Sequence, residues 1–253
     1  MSGVRAKKEL GQHFLVDENI LGVIGRLADL QPDDVVIEIG PGLGVLTRYL
    51  ADRVAHVHAV ELDRSLAPHL PECDKVTVHW GDALRLDLAA HGANKLVANL
   101  PYNVATPILV ESLDGIPSLE AWTVMLQREV ADRLFAQPST KPYGAVSVLI
   151  QLTAERTGFH PVSREVFRPR PNVESALVSF RRVELPPDWR RLKRIVEGAF
   201  AHRRKTLPNS LELSGIADRA TAASALAALG RKQSVRAEEL APAEFVRLAE
   251  VLP

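Results

Sequence analysis

The stretch Val35-Val36-Ile37-Glu38-Ile39-Gly40-Pro41-Gly42-Leu43-Gly44 constrains the rest of the chain. Its first five residues, rich in β-branched side chains, predict a strand covered on both faces, as in a parallel sheet. Three glycines follow at alternate positions, and a helical pattern resumes at Val45. Such a turn reaches backbone angles closed to other residues and lets a ligand approach the main chain, while the helix behind it offers free N–H groups. A second apolar run, Val57 to Val60, ends in Glu61 about twenty residues on, where a carboxylate can accept from both hydroxyls of an adenosine ribose. Strand, glycine turn, helix, strand and acid together predict a nucleoside-cofactor site.

The spacing within the turn narrows the cofactor. A dinucleotide fingerprint carries its third glycine three places after the second; here that place is Val45, and the pattern from Gly40 is G-x-G-x-G. Glu38 precedes the first glycine by two residues, where dehydrogenases usually carry an apolar side chain. An acid there repels a pyrophosphate but suits a cationic ligand. E-x-G-x-G-x-G resembles the first motif of S-adenosylmethionine-dependent methyltransferases, whose cofactor carries a sulfonium and an ammonium.

Apolar strands and helical patterns alternate as far as about residue 152, with strands expected at 75–80, 95–98 and 121–126. Helices are expected from Asp17 to Ala28, from Leu62 to Leu70 and from Tyr143 to Leu152. Two strands, 154–159 and 174–182, then follow without an intervening helix, which predicts an antiparallel pair at the sheet's edge. Pro186-Pro187 reads as a linker, dividing an α/β domain (1–185) from a small helical domain (186–253). Ligands of an open parallel sheet collect at the carboxyl ends of its strands. Those ends read Gly40, Glu61, Asp82 and Asn99. Gly42 lies in the same turn, and Asp82 is placed to accept from the adenine amine.

Asn99-Leu100-Pro101-Tyr102 points to the reaction. An aromatic amine is a poor nucleophile because its lone pair is delocalised into the ring. Two acceptors aimed at its hydrogens, the Asn99 side-chain oxygen and the Leu100 carbonyl, favour the tetrahedral form that frees the lone pair. Pro101 stiffens the turn, and Tyr102 offers a face for stacking a base. Asn suffices in place of Asp because alkylation itself makes the nitrogen acidic.

The net charge of zero hides an asymmetry. Residues 161–210 carry 12 Lys/Arg against 5 Asp/Glu, whereas the first 160 carry 14 against 20. That segregation predicts a polyanion partner, gripped by Arg164, Arg168 and Arg170 and by Arg203, Arg204 and Lys205 at the end of a helix. One cysteine, Cys73, excludes an intrachain disulfide and fits a reducing cytoplasm. The start, with Arg5, Lys7 and Lys8, lacks the apolar run of a signal peptide, and no stretch approaches membrane-spanning length. The eight histidines show no paired-ligand spacing, so no metal is expected.

Taken together, Gly11 to Leu15, Glu38 to Gly44, Asn99 to Tyr102, Gln127 to Leu134, Phe167 to Val173 and Arg203 to Leu211 resemble the ribosomal RNA adenine N6-dimethyltransferases. The resemblance runs from Lys8 to about Leu211. It implies a Rossmann-like class I methyltransferase fold, with a mostly parallel seven-stranded sheet and an antiparallel edge strand, plus a small C-terminal helical domain. It also implies transfer of two methyl groups to each of two adjacent adenines near the 3′ end of small-subunit (16S) rRNA, by a cytoplasmic monomer using S-adenosylmethionine. His13, Leu15, Gly40, Glu61, Asp82 and Asn99 would line the cofactor site, while Tyr102 and Phe167 sandwich a flipped adenine. His13 stands where many relatives have Asn, and Pro208 where relatives usually have Arg. Alternatives are a large-subunit rRNA adenine methyltransferase conferring antibiotic resistance and a non-catalytic assembly factor. Intact Glu38, Glu61, Asp82 and Asn99 to Tyr102 weigh against the latter, and the glycine spacing weighs against a nicotinamide dehydrogenase.

Overall fold

The computed structural model describes residues 6–7 and 10–252, so Arg5 and Lys8 lie outside the described residues. A two-residue strand β1 (Phe14–Leu15) leads into helix α1 (Asn19–Ala28). Asp17 sits before that helix and accepts from the Asn19 N–H at 2.9 Å. The glycine turn joins β2 (Val35–Ile39) to α2 (Val45–Ala51). Next come β3 (His56–Glu61), β4 (Val76–Trp80), β5 (Lys95–Asn99), α3 (Ala105–Gly115) and β6 (Ala121–Gln127). Helices α4 (Arg128–Leu134) and α5 (Ala145–Thr153) precede β7 (Ala154–Val162), β8 (Phe167–Arg168) and β9 (Ser175–Arg182). The chain ends in α6 (Trp189–Ala201), α7 (Leu207–Leu213), α8 (Arg219–Ala228) and α9 (Pro242–Val251).

Among the described residues the main sheet has seven strands in the order β4-β3-β2-β5-β6-β9-β7. The pairings from β4 to β6 are parallel, and β9 runs antiparallel to β6. The direction of travel across the sheet reverses between β2 and β5, so a crevice opens at their carboxyl ends. The two strands expected at the edge are β7, the outermost strand, and β9, which lies inside it and runs antiparallel to β6. The helix expected over 62–70 is instead a tight 3₁₀ helix, Arg64–His69. Pro68 inside it has no N–H to donate and so does not support an α-helical ladder.

The opposite end of β2 is tied down by side chains. Asp34, 3% exposed, accepts from the Gln31 N–H (2.7 Å) and Asn94 Nδ2 (2.8 Å) and pairs with Lys95 Nζ at 2.7 Å. At the end of β9 the Arg182 guanidinium donates to three carbonyls, Leu119 (2.5 Å), Leu113 (2.6 Å) and Ile116 (3.1 Å), capping the α3 C-terminus and the loop into β6.

The chain divides into two units, 1–131 with 156–182, and 132–155 with 183–253. Residues 132–155 therefore group with the C-terminal helices, although they precede the boundary expected near 185. Within the second unit the buried Tyr143 donates its hydroxyl to the Leu240 carbonyl at 2.7 Å, and the Ser139 N–H donates to Glu238 O at 2.7 Å. Helix α7 begins at Leu207, directly before Pro208. Its Pro208 sits in the first turn, where a missing N–H costs nothing and a fixed φ suits the helix.

Candidate active site

Every residue expected at the cofactor site lines one cavity at the β2/β5 crevice: His13, Leu15, Glu38, Gly40, Gly42, Glu61, Asp82 and Asn99, joined by Leu100 and Tyr102. Gly40 and Gly42 hold φ of +74° and +58°, which side-chain-bearing residues rarely adopt. A Cβ on Gly40 would lie 3.0 Å from Pro101 Cγ, and one on Gly42 would lie 3.0 Å from Phe14 Cδ1. The turn is thus shaped by two other segments as well as by its own backbone.

The two acids are held in different ways. Glu61 Oε1 accepts from the Asp63 N–H at 2.8 Å and Oε2 from the Gly42 N–H at 3.2 Å, so the carboxylate bridges the glycine turn and the end of β3. Burial raises its pKa and these backbone donors oppose the rise. Glu38 is 1% exposed and its Oε2 has no hydrogen-bond partner. Burial pushes its carboxyl up to about 8. The neighbouring Thr47 hydroxyl tempers that rise, yet Thr47 Oγ1 is itself buried without a partner, so the two do not meet hydrogen-bond geometry. Asp82 accepts from the Leu84 N–H at 3.0 Å while remaining on the cavity wall.

Asn99 is the informative group. Its Nδ2 donates to the His13 carbonyl at 3.0 Å, which fixes the amide's orientation, and its Oδ1 is buried with no partner. Buried polar atoms are rarely left so, because an unmade hydrogen bond costs about 1–3 kcal/mol. Tyr102 donates or accepts at Ser175 Oγ (2.5 Å), and burial raises its pKa. Its ring stands 5.3 Å from that of His13, whose Nδ1 meets the Pro169 carbonyl at 2.8 Å.

Phe167 departs from expectation. It is fully buried in the core with Leu15, Ile20, Ile24 and Leu177, and it is not on the cavity wall. The cause is register: β8 pairs antiparallel with β1, Leu15 opposite Phe167, so Phe167 follows Leu15 into the core. The aromatic side chain of this pair that reaches the glycine turn is Phe14, which the sequence reading passed over. Also missed was the anchoring of the N-terminal segment. Lys7 Nζ and Gln12 Nε2 reach the Asp63 carboxylate at 2.7 and 3.1 Å, two residues beyond Glu61. Despite burial, these bonds and those from Ser65 hold Asp63 well below the usual carboxylate range.

The basic residues fall in both units. In the first, Arg164 pairs with Glu174 (3.6 Å), Arg170 with Glu165 (2.5 Å), and Arg168 donates to the Phe167 carbonyl (2.9 Å). In the second, α6 stops at Ala201, so exposed Arg203, Arg204 and Lys205 occupy the turn before α7 and not a helix end. Arg203 lies 3.6 Å from Glu238 and donates to the Tyr143 carbonyl at 3.2 Å. Although the histidines show no paired-ligand spacing in the sequence, His56, His58, His79 and His91 lie together on β3, β4 and the turn at 89–91.

Sheet order, switch-point cavity and glycine turn define a class I methyltransferase of Rossmann-like fold. The family model described as ribosomal RNA adenine dimethylase matches residues 3–252, and the chain belongs to that family. Its chemistry is accordingly that of an rRNA adenine dimethyltransferase. It is 47% identical to the ribosomal RNA small subunit methyltransferase A of Rubrobacter xylanophilus, over 96% of this chain and 94% of that protein. To the protein of the same name from Lactiplantibacillus plantarum it is 44% identical, over 99% and 91%. A dimethyladenosine transferase from Plasmodium falciparum superposes with a TM-score of 0.78 at 20% identity, covering 93% of this chain and 96% of that one. The 23S rRNA methyltransferase ErmE gives a TM-score of 0.64 at 28% identity, covering 94% and 99%.

Proposed function

We propose that this chain dimethylates two adjacent adenines near the 3′ end of small-subunit rRNA, with S-adenosylmethionine as methyl donor. The buried, unpartnered Oδ1 of Asn99 carries the reading, because it is an acceptor with no protein donor at the rim of the cofactor cavity. An adenine amine is a donor of the right kind. With Nδ2 committed to His13, the amide cannot rotate to present its NH₂ instead. The Leu100 carbonyl is the second acceptor, and together they favour the pyramidal amine whose lone pair can attack. No strong base is required, since the alkylated nitrogen sheds its proton readily.

The cavity's residues fit the cofactor. Glu61 accepts from the ribose hydroxyls, Asp82 from the adenine amine, and Glu38 faces the cationic amino-acid end, with Gly40 and Gly42 admitting the ligand against the main chain. When bound, S-adenosylmethionine supplies an electrophilic methyl group. Tyr102 provides the stacking face for the target base, which the RNA must present unstacked. In this reading Arg164, Arg168 and Arg170, with Arg203, Arg204 and Lys205, contact phosphates. Among the described residues no helix is long and apolar enough to cross a membrane. A cytoplasmic monomer is proposed.

The choice of small subunit rests on the relatives that are 47% and 44% identical over nearly the whole chain, and the lower identity of 28% to ErmE does not favour the large-subunit alternative. Incubating the protein with labelled S-adenosylmethionine and each undermethylated subunit, then mapping the label, separates them. Dimethyladenosine at two neighbouring positions of 16S rRNA is expected. Label confined to 23S rRNA would replace the first reading by the second.

A further inference from the structure

His56 and His58 stand two apart on β3 and so project from one face of the sheet. His79 of β4 lies opposite Val60, on that same face. His91, last residue of the turn Ala89–His91, stacks against them, with its ring centroid 4.6 Å from His58 and 4.1 Å from His79. One ring nitrogen from each of His58, His79 and His91 lies within 4.8 Å of the other two, and His58 Nδ1 is 3.0 Å from His79 Nε2. All three are half-buried. Three imidazoles bound tetrahedrally to one zinc ion at ~2.0–2.1 Å have nitrogens roughly 3.3 Å apart. The His58–His79 edge is already near that separation, and no edge has to close by more than roughly 1.5 Å, a matter of side-chain rotation for half-exposed rings.

We propose that His58, His79 and His91 form a site for a divalent transition metal of the zinc class, with water completing the coordination. The donor set selects the ion: imidazole nitrogen suits zinc, nickel and copper, whereas magnesium and calcium require oxygen ligands that this cluster lacks. His56 supports the arrangement from outside. Its Nε2 meets Thr77 Oγ1 at 2.9 Å, and its ring packs 4.6 Å from His58.

The position suggests what the ion would do. β3 runs from His58 to Glu61 and the chain from His79 to Asp82, three residues in each case. A metal joining His58 to His79 would fasten the two strands whose ends carry the proposed adenosine acceptors, and His91 would fasten the segment leading into β5. Its role is structural, and it takes no part in methyl transfer.

Tag-free protein, stripped with chelator, is titrated with zinc chloride by calorimetry and with cobalt chloride by visible absorption. One ion per chain is expected, with the intense bands of tetrahedral cobalt, a rise in Tm, and affinity falling by at least about tenfold in His91→Ala, which alters a surface turn and no strand. His160→Ala should bind as wild type does. Absence of saturable binding, or equal binding by a His58→Ala/His79→Ala/His91→Ala variant whose circular dichroism and cofactor affinity match wild type, would overturn the site. The readout is metal binding, so it is independent of which rRNA is methylated. If the triple variant fails to fold, His91→Ala alone decides.

Discussion

The two ends of strand β2 bury two acids four residues apart, Asp34 at 3% exposure and Glu38 at 1%, and treat them oppositely. At the amino end Asp34 is stitched to Gln31, Asn94 and Lys95. At the carboxyl end Glu38 Oε2, Thr47 Oγ1 and Asn99 Oδ1 are buried with nothing to accept from or donate to. Both ends are shielded from water, so the contrast is not one of solvent access. The closed end uses its polar groups to hold strands together, while the open end leaves them unpaired at a cost in stability.

The contrast is broken most strongly at the closed end. Asp34→Ala leaves Lys95 largely buried beside an empty place, and breaking such a pair costs about 3–5 kcal/mol. Chemical denaturation should show that loss, while the folded fraction binds S-adenosylmethionine normally; a loss below about 1 kcal/mol would mean the end is less tightly tied than its geometry indicates. Next comes Asn99→Ala at the open end. Turnover should fall on the order of 10²-fold or more, with far less effect on cofactor affinity and little on stability. A parallel fall in cofactor binding would make Asn99 a structural residue.

A third test sharpens the comparison through pH. Burial raises the Glu38 pKa from 4.5 to about 8, so between those values the folded chain holds a proton that the unfolded chain has lost. Stability from this group is therefore full below about pH 4.5 and is lost as pH rises through about 8, with a slope of one proton. A cationic ligand prefers the ionised acid, so cofactor affinity should rise over the same range with proton release. Calorimetry in buffers of different ionisation heat measures that release, and Glu38→Gln should abolish its share. Equal proton release in the variant would assign the effect to another group.

Much of this was legible in the sequence because it is local. Apolar runs, glycine spacing and the polar residues that follow each strand placed Gly40, Glu61, Asp82 and Asn99 at one edge of a sheet, and the structure gathers them in one cavity. What escaped depends on pairings distant in the chain. The β1–β8 ladder is two residues long, too short for any periodicity, yet its register turns Phe167 inward and brings Phe14 to the glycine turn. The histidine cluster needs the parallel register of β3 and β4, although His56-Val57-His58 already placed two rings on one face. The start of α7 at Pro208 was not legible, because proline serves equally to stop a helix or to start one.

The anchoring of the N-terminal segment has a consequence in the order of synthesis. The His13 carbonyl orients Asn99, but His13 is itself held by Pro169, 156 residues further along, and Val16 by Val166. A nascent chain that has emerged through β5 already carries the strand ends and the Asn99 side chain. It lacks the ladder that keeps residues 13–16 against them until residues 166–169 have left the ribosome. The wall that residues 13–16 add to the cavity is therefore expected to settle only once residues 166–169 have emerged, whereas the Lys7 and Gln12 ties to Asp63 can form earlier.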